Sequence, residues 1–278
     1  MTVPATEEVI YEVEPTGVAW LTLNRPDAGN ALTREQRRRI LDRLEEAGGD
    51  LGVRAIVLTA SGERHFCTGG DLRVATQAEE PEHPGAPDRP IGTVMRGLES
   101  SLGAQRLIAA LQDCPKPIIA AVNGTAAGLG AHVAFSCDLV IAADTARFIE
   151  IFVRRGLLPD GGGAYLLTRL VGPQKAKELF FFGDDVPAEE AQRIGLVNRV
   201  VPAAELRDRA REWAERLAAG PTVAISLTKR LVNSALESER GAAFRAEALA
   251  LEVGMQAVDS NEGVRAFVER RPTEFVGW

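Results

Sequence analysis

Apolar residues recur at two periods along the chain, alternating or continuous at first and helical later. Val9–Val13 and Val18–Leu23 are β-rich runs joined by Glu14-Pro15-Thr16-Gly17, a hairpin signal. Asn24-Arg25-Pro26-Asp27 breaks the second run. Thr33-Arg34-Glu35-Gln36 is a capping box, and Ile40, Leu41 and Leu44 follow at helical spacing until Gly48-Gly49. Val53–Thr59 is almost continuously apolar, as a strand covered on both faces should be. Thr93–Gln112 is predicted helical and closed by Cys114-Pro115-Lys116-Pro117, with short buried strands over Ile118–Val122 and Leu139–Ala142. Ala164–Leu170, Gln174–Phe182 and Pro187–Ile194 are predicted helices, and Val197–Val201 a short strand. Ala203–Ala219, Val223–Leu236 and Gly241–Val258 are predicted long helices. The pattern is an α/β core over residues 1–202 followed by a helical region over 203–278. Within the core, residues 79–92 carry Pro81, Pro84, Pro87 and Pro90 with no apolar period, and read as a surface insertion. No repeat of solenoid or propeller length is visible.

Composition narrows the classes. The 278 residues suit one large domain with a modest appendage, and 45% hydrophobic with 26% charged residues is ordinary for a globule. A formal net charge of −7 leaves no basic surplus for a phosphate backbone, so nucleic acid is not an expected partner. The most apolar stretch, Pro117–Ala143, holds Asn123, His132, Ser136 and Asp138. It reads as buried strand, helix and strand, and no membrane partner is expected. Met1–Tyr11 has acids where a secretory signal has bases and an apolar core. Cys67, Cys114 and Cys137 show no CxxC spacing, and His65, His83 and His132 are scattered. A reducing cytoplasm is therefore expected, and neither a disulfide framework nor a metal site.

Three glycine-bearing turns stand where strands should meet helices: Phe66-Cys67-Thr68-Gly69-Gly70-Asp71, Asn123–Gly130, and Pro159-Asp160-Gly161-Gly162-Gly163. Glycine there lets backbone N–H groups approach a ligand, and a helix start adds free donors. Two such turns brought together could hold one oxygen between two N–H groups. A dinucleotide site fits less well, because Val133 stands where a third small residue belongs after Gly128-Leu129-Gly130. No Gly-Lys-Ser/Thr follows any glycine run, which removes a phosphate loop.

Asn24-Arg25-Pro26 with Asn30-Ala31-Leu32, the FCTGGDL loop, AAVNGTAAGLG followed by CDLVIA, and GLLPDGGG occur in that order. The set resembles the crotonase superfamily, the enoyl-CoA hydratases and isomerases, from about Glu7 to about Leu236. The resemblance implies a spiral of ββα turns ended by helices that pack a homotrimer or a dimer of trimers. It implies an acyl-CoA thioester substrate, with coenzyme A entering as part of that substrate and no separate cofactor. The oxyanion donors would be the N–H groups of Gly70 and Leu129, and Ala28, Phe66, Gly69, Asp71 and Gly128 would contact substrate.

The chain departs from the family at its acids. Hydratases use two glutamates, and the aligned positions hold His132 and Phe152. Phenylalanine moves no proton, so the chain lacks the pair of acids used in the two-acid addition of water. Asp160, in Leu158-Pro159-Asp160-Gly161, is the candidate acid/base, as in family isomerases with a similar context; the alternative is a helix N-cap. His132 is a second candidate, as base or hydrogen-bond donor, against a plain core histidine. Glu150 is expected to pair with Arg154 or Arg155, and Cys67 has no neighbouring base to make it a nucleophile. The expected activity is double-bond or ring isomerisation. The alternatives are hydration through His132 and Asp160, or a homologue that binds acyl-CoA without catalysis.

Overall fold

The computed structural model describes residues 7–71 and 103–278. The hairpin forms as expected: β1 (Val9–Val13) runs antiparallel to β2 (Val18–Leu23), with Val9 opposite Leu23 and Val13 opposite Ala19. The return is made at Gly17, whose φ of 81° is in the left-handed region. Helix α1 (Arg34–Gly49) starts on the reciprocal cap read from the sequence. Gln36 N–H donates to Thr33 Oγ1 at 3.1 Å, and Thr33 N–H donates to Gln36 Oε1 at 2.9 Å.

Three further turns of chain repeat one plan. Strands β3 (Ala55–Ala60) and β4 (His65–Cys67) are followed by helix α2 (Ala104–Asp113). Then come β5 (Ile118–Val122), β6 (Thr125–Ala127) and helix α3 (Leu129–Phe135), and after them β7 (Leu139–Ala143), β8 (Arg147–Ile149) and helix α4 (Gly163–Phe182). The first strand of each pair joins one sheet and the second joins another. With β9 (Asp185–Pro187), helix α5 (Ala188–Arg193) and β10 (Arg199–Val201), the sheets run β1-β2-β3-β5-β7-β10 and β4-β6-β8-β9. Neighbours from β2 to β10 and from β4 to β8 are parallel. This is the ββα spiral.

Burial explains the continuous apolar runs. Every residue of β3 and of β5 is buried, because helices cover the faces of these parallel strands. Helix α6 (Leu206–Ala218) lays Leu206, Ala210, Ala214 and Ala218 on β2, β3, β5 and β7. Small residues every fourth position let its backbone come close. The helical region expected from residue 203 thus begins with an element of the core's packing.

Three further helices follow: α7 (Thr222–Ala235), α8 (Arg240–Gly254) and α9 (Val258–Glu269). The single helix expected over Gly241–Val258 is two, since α8 stops at Gly254 and the chain restarts at Val258. The two helices expected over Ala164–Leu170 and Gln174–Phe182 are joined in α4 with a break at Gly172, φ 77°, ahead of Pro173. Of the helix expected over Thr93–Gln112, only the part from Ala104 lies among the described residues, and the insertion at 79–92 lies outside them.

Buried polar ties fix the later helices to the core. Lys229 of α7 reaches Asp138 at 2.8 Å and the Leu111 and Lys116 carbonyls at 3.0 and 3.3 Å. Burial pushes the Asp138 carboxyl above its ordinary range, against the pull of Lys229. Arg54 donates to Thr222 Oγ1 and to the carbonyls of Gly220 and Phe275, holding the C-terminal tail near the start of β3.

Candidate active site

The first glycine turn is held by the Asn24–Leu32 segment. Asn30 is fully buried and left-handed, with φ 51°. Its Oδ1 accepts from Arg25 N–H at 2.8 Å, and its Nδ2 donates to the carbonyls of Ser61 and His65 at 3.1 and 2.8 Å. Arg25 donates to Asp71 from Nη1 and Nη2 at 3.2 and 3.3 Å, and to the Ala31 carbonyl at 3.0 Å. The backbone closes the frame, with Leu32 N–H on the Gly69 carbonyl at 2.8 Å and Asp71 N–H on the Leu32 carbonyl at 3.0 Å. Asp71 therefore braces the turn through Arg25. Ala28 ends a short 3-10 turn, Pro26–Ala28, and is half-buried beside it.

The second turn meets the first. Gly128, with φ 52°, precedes α3, whose seven residues are all buried. A Cβ on Gly69 would lie 3.2 Å from the Ala127 carbonyl and 3.7 Å from the Leu129 nitrogen, so only glycine allows the two turns this approach. One on Gly130 would lie 2.1 Å from the Cys67 carbonyl oxygen. Among the described residues neither Gly70 N–H nor Leu129 N–H donates a hydrogen bond. Leu129 is the first residue of α3, where an N–H has no intrahelical acceptor. Two backbone donors on adjoining turns are thus without an acceptor among the described residues.

The third turn carries Asp160 at the surface. Helix α4 is capped by Gly162 in the left-handed conformation with no side-chain cap, so Asp160 is not its N-cap. The Asp160 carboxylate accepts no hydrogen bond among the described residues, while its carbonyl takes Gly163 N–H at 3.2 Å. Its charge is felt by Arg37 of α1, a residue the sequence did not single out. Burial and Arg34 pull the Arg37 guanidinium below its ordinary range, and Asp160 opposes them.

His132 is fully buried on α3 and its Nε2 lies 2.9 Å from Glu150 Oε2. Glu150 therefore pairs with His132, correcting the expected partners Arg154 and Arg155; Arg154 instead reaches Asp185 at 3.1 Å. The cause is topology, since β8, which Glu150 directly follows, pairs with β6, a strand on which α3 packs. Phe152 stacks on the imidazole, with centroids 5.4 Å apart and planes 18° apart. The ring fills the space a side chain on the third turn would need: a Cβ on Gly163 would lie 2.1 Å from His132 Cε1. All three turns thus border α3.

Phe66, expected to contact substrate, is packed in the core with no exposed surface. Burial pushes the Cys67 thiol up to about 12, which leaves it without thiolate at neutral pH. No group of three or more metal-ligating side chains occurs among the described residues. No helix among them is long and apolar enough to cross a membrane. A surface cleft of about 530 Å³ between α2, α4 and α7, lined by Cys114, Tyr165, Lys229 and Arg230, includes none of the three turns.

A sequence model of the family described as Enoyl-CoA hydratase/isomerase matches residues 13–277. The chain belongs to that family. It is a crotonase-type enzyme, and its relatives agree over nearly their whole length. A Rhodobacter capsulatus protein named "Probable enoyl-CoA hydratase" is 40% identical over 268 residues, 96% of this chain and 97% of that one. The 1,2-epoxyphenylacetyl-CoA isomerase of Escherichia coli is 36% identical over 271 residues, 98% of this chain and 99% of that one. The crystal structure of an enoyl-CoA hydratase from Bacillus anthracis superposes with a TM-score of 0.87 at 28% identity, covering 98% of this chain and 100% of that one. Hydratases and an isomerase thus resemble this crotonase-type chain to similar degrees, and the residues at the three turns must decide between reactions.

Proposed function

We propose that the protein isomerises an acyl-CoA thioester, moving a double bond or rearranging a ring, with Asp160 as acid and base. The thioester carbonyl oxygen sits between Gly70 N–H and Leu129 N–H, each such donor contributing about 3–4 kcal/mol to the barrier's lowering. Asp160 removes a proton from one carbon, and the electron pair moves onto the carbonyl oxygen as an enolate. The carboxyl then returns the proton at another carbon, so substrate and product have one formula and no water is consumed. No metal or redox cofactor enters this scheme.

The observation that carries the reading is the Asp160 carboxylate, unpaired among the described residues, on a turn that borders α3, in a chain with His132 and Phe152 at the hydratase acid positions. Arg37 of α1 supplies a positive charge close enough to interact with that carboxylate. Hydration is a second reading, favoured by the His132–Glu150 pair as a separate proton-handling group. Incubating the protein with a panel of enoyl-CoAs in deuterated water separates the two. Deuterium at the α or γ carbon without gain of water supports isomerisation; gain of water at a comparable rate overturns it.

The assembly we propose is a trimer or a dimer of trimers. The support is apolar surface on the last two helices: Phe244 and Leu251 on α8 and Phe267 on α9 are 62%, 65% and 83% exposed.

A further inference from the structure

His132 and Glu150 each keep one buried polar atom without a partner. Nε2 and Oε2 meet at 2.9 Å, but Nδ1 of His132 and Oε1 of Glu150 find no hydrogen bond. The two side chains are essentially sealed from solvent, at 0% and 4% exposure. An unmet buried polar group costs stability, so a pair like this is poor as mere packing. The direction of the free nitrogen matters. A Cβ on Gly163 would lie 2.1 and 2.2 Å from Cε1 and Nε2 and 2.9 Å from Nδ1, and one on Gly161 3.8 Å from Nδ1, so the ring abuts the turn that follows Asp160 with Nδ1 on the Gly161 side. The Phe152 ring stacked on the imidazole prevents it from swinging away.

We propose that Glu150 is a positioning residue that holds His132 as its Nε2–H tautomer and so presents the Nδ1 lone pair to the Asp160 turn as a second proton acceptor. With Glu150 ionised its oxygen can only accept, and Nε2 of a neutral ring then carries the hydrogen of the 2.9 Å contact. Nδ1 is then the acceptor. When bound substrate opens the contact between the ring and the Asp160 turn, taking a proton from its carbon makes the ring an imidazolium whose charge the carboxylate balances, while the electron pair moves to the enolate oxygen. Returning that proton restores the neutral ring. This inference rests on the acyl-CoA reading above for its chemistry, but not for its ring state.

The test reads both. Protein labelled with ¹⁵N only at its three histidines is studied in the solid state without substrate, and the His132 signals are assigned by their loss in His132→Gln. The expected result is a protonated Nε2 and a bare Nδ1. In Glu150→Gln the amide can donate to Nε2, and in Glu150→Leu nothing accepts from it, so the ring loses the Nε2–H state. With an enoyl-CoA that the wild type turns over, kcat then falls on the order of 10–100-fold while KM stays within about threefold, the scale for losing an orienting partner. A wild-type ring protonated on Nδ1, retention of the wild-type ring state in both variants, or its loss without loss of kcat overturns the proposal. A protein that turns over no enoyl-CoA defeats the isomerase reading instead, and the spectra still decide the role of Glu150.

Discussion

Asp160 has a carboxylate that caps no helix and accepts no hydrogen bond among the described residues, which separates its chemistry from its structure. Asp160→Asn should change stability by less than about 0.5 kcal/mol, as surface substitutions do. Turnover should fall by about 10²–10⁴, the usual cost of a general base. Thermal unfolding beside steady-state kinetics checks both halves, and activity near wild type would move the proton chemistry to His132. Gly130 is the opposite case. Its hydrogen faces the Cys67 carbonyl where a methyl would sit 2.1 Å away, so Gly130→Ala must push α3 off β4. The expected loss is about 3 kcal/mol or more, at the upper end for overpacking, and denaturant unfolding measures it. Because α3 carries Leu129 and His132, activity should vanish with it.

At the scale of elements, the later helices are attached by a few polar ties, not by apolar faces. The Lys229–Asp138 pair joins α7 to the strand β7 region with both groups largely buried. Removing one partner of such a pair leaves a buried charge, so Lys229→Ala should cost about 3 kcal/mol in chemical denaturation. The tail beyond α9 is tied by Glu262, which accepts from Arg271 at 2.6 and 2.8 Å and from Glu274 N–H at 2.9 Å. Chiefly through Arg271, the Glu262 carboxyl is held down at about 2, from an ordinary 4.5. A depressed carboxyl contributes its full stability above pH 4.5 and loses it as the pH falls through about 2. Amide protection factors at residues 272–278, exchange rates taken relative to the intrinsic rate at each pH, should therefore fall between pH 4.5 and 2 before the core opens; protection that is flat across that window would show the tail held by Asp259 and Arg54 instead.

For the whole molecule, the exposed apolar side chains of α8 and α9 contrast with the alanine-lined α6, which is satisfied within one chain. Sedimentation at micromolar concentration should find a trimer or hexamer. Leu251→Glu, at a position 65% exposed in the single chain, should dissociate it while leaving the far-ultraviolet circular dichroism unchanged. A wild type that sediments as a monomer would leave that surface without the proposed partner.

What the sequence by itself determined is the local grammar. The hairpin, the Thr33 capping box, the buried strands β3, β5 and β7 and the three glycine turns were legible because each depends on neighbours within a few residues. The spiral repeat was not legible as a repeat. Its turns share backbone plan but not side chains, since each strand pair packs against a different helix. Tertiary structure decided who meets whom. Glu150 lies eighteen residues from His132 and two from Phe152, and nothing in its neighbourhood separates a surface partner such as Arg154 from a buried one. Only the sheet order that sets β8 beside β6, on which α3 packs, makes that choice. The same holds for Asp160, whose freedom from capping depends on Gly162 taking the left-handed cap, and for Arg37, brought near it from over a hundred residues away. Strand and helix follow from short-range sterics and burial pattern, whereas the partner of a buried charge is set by desolvation, which exists only once the chain has closed around it.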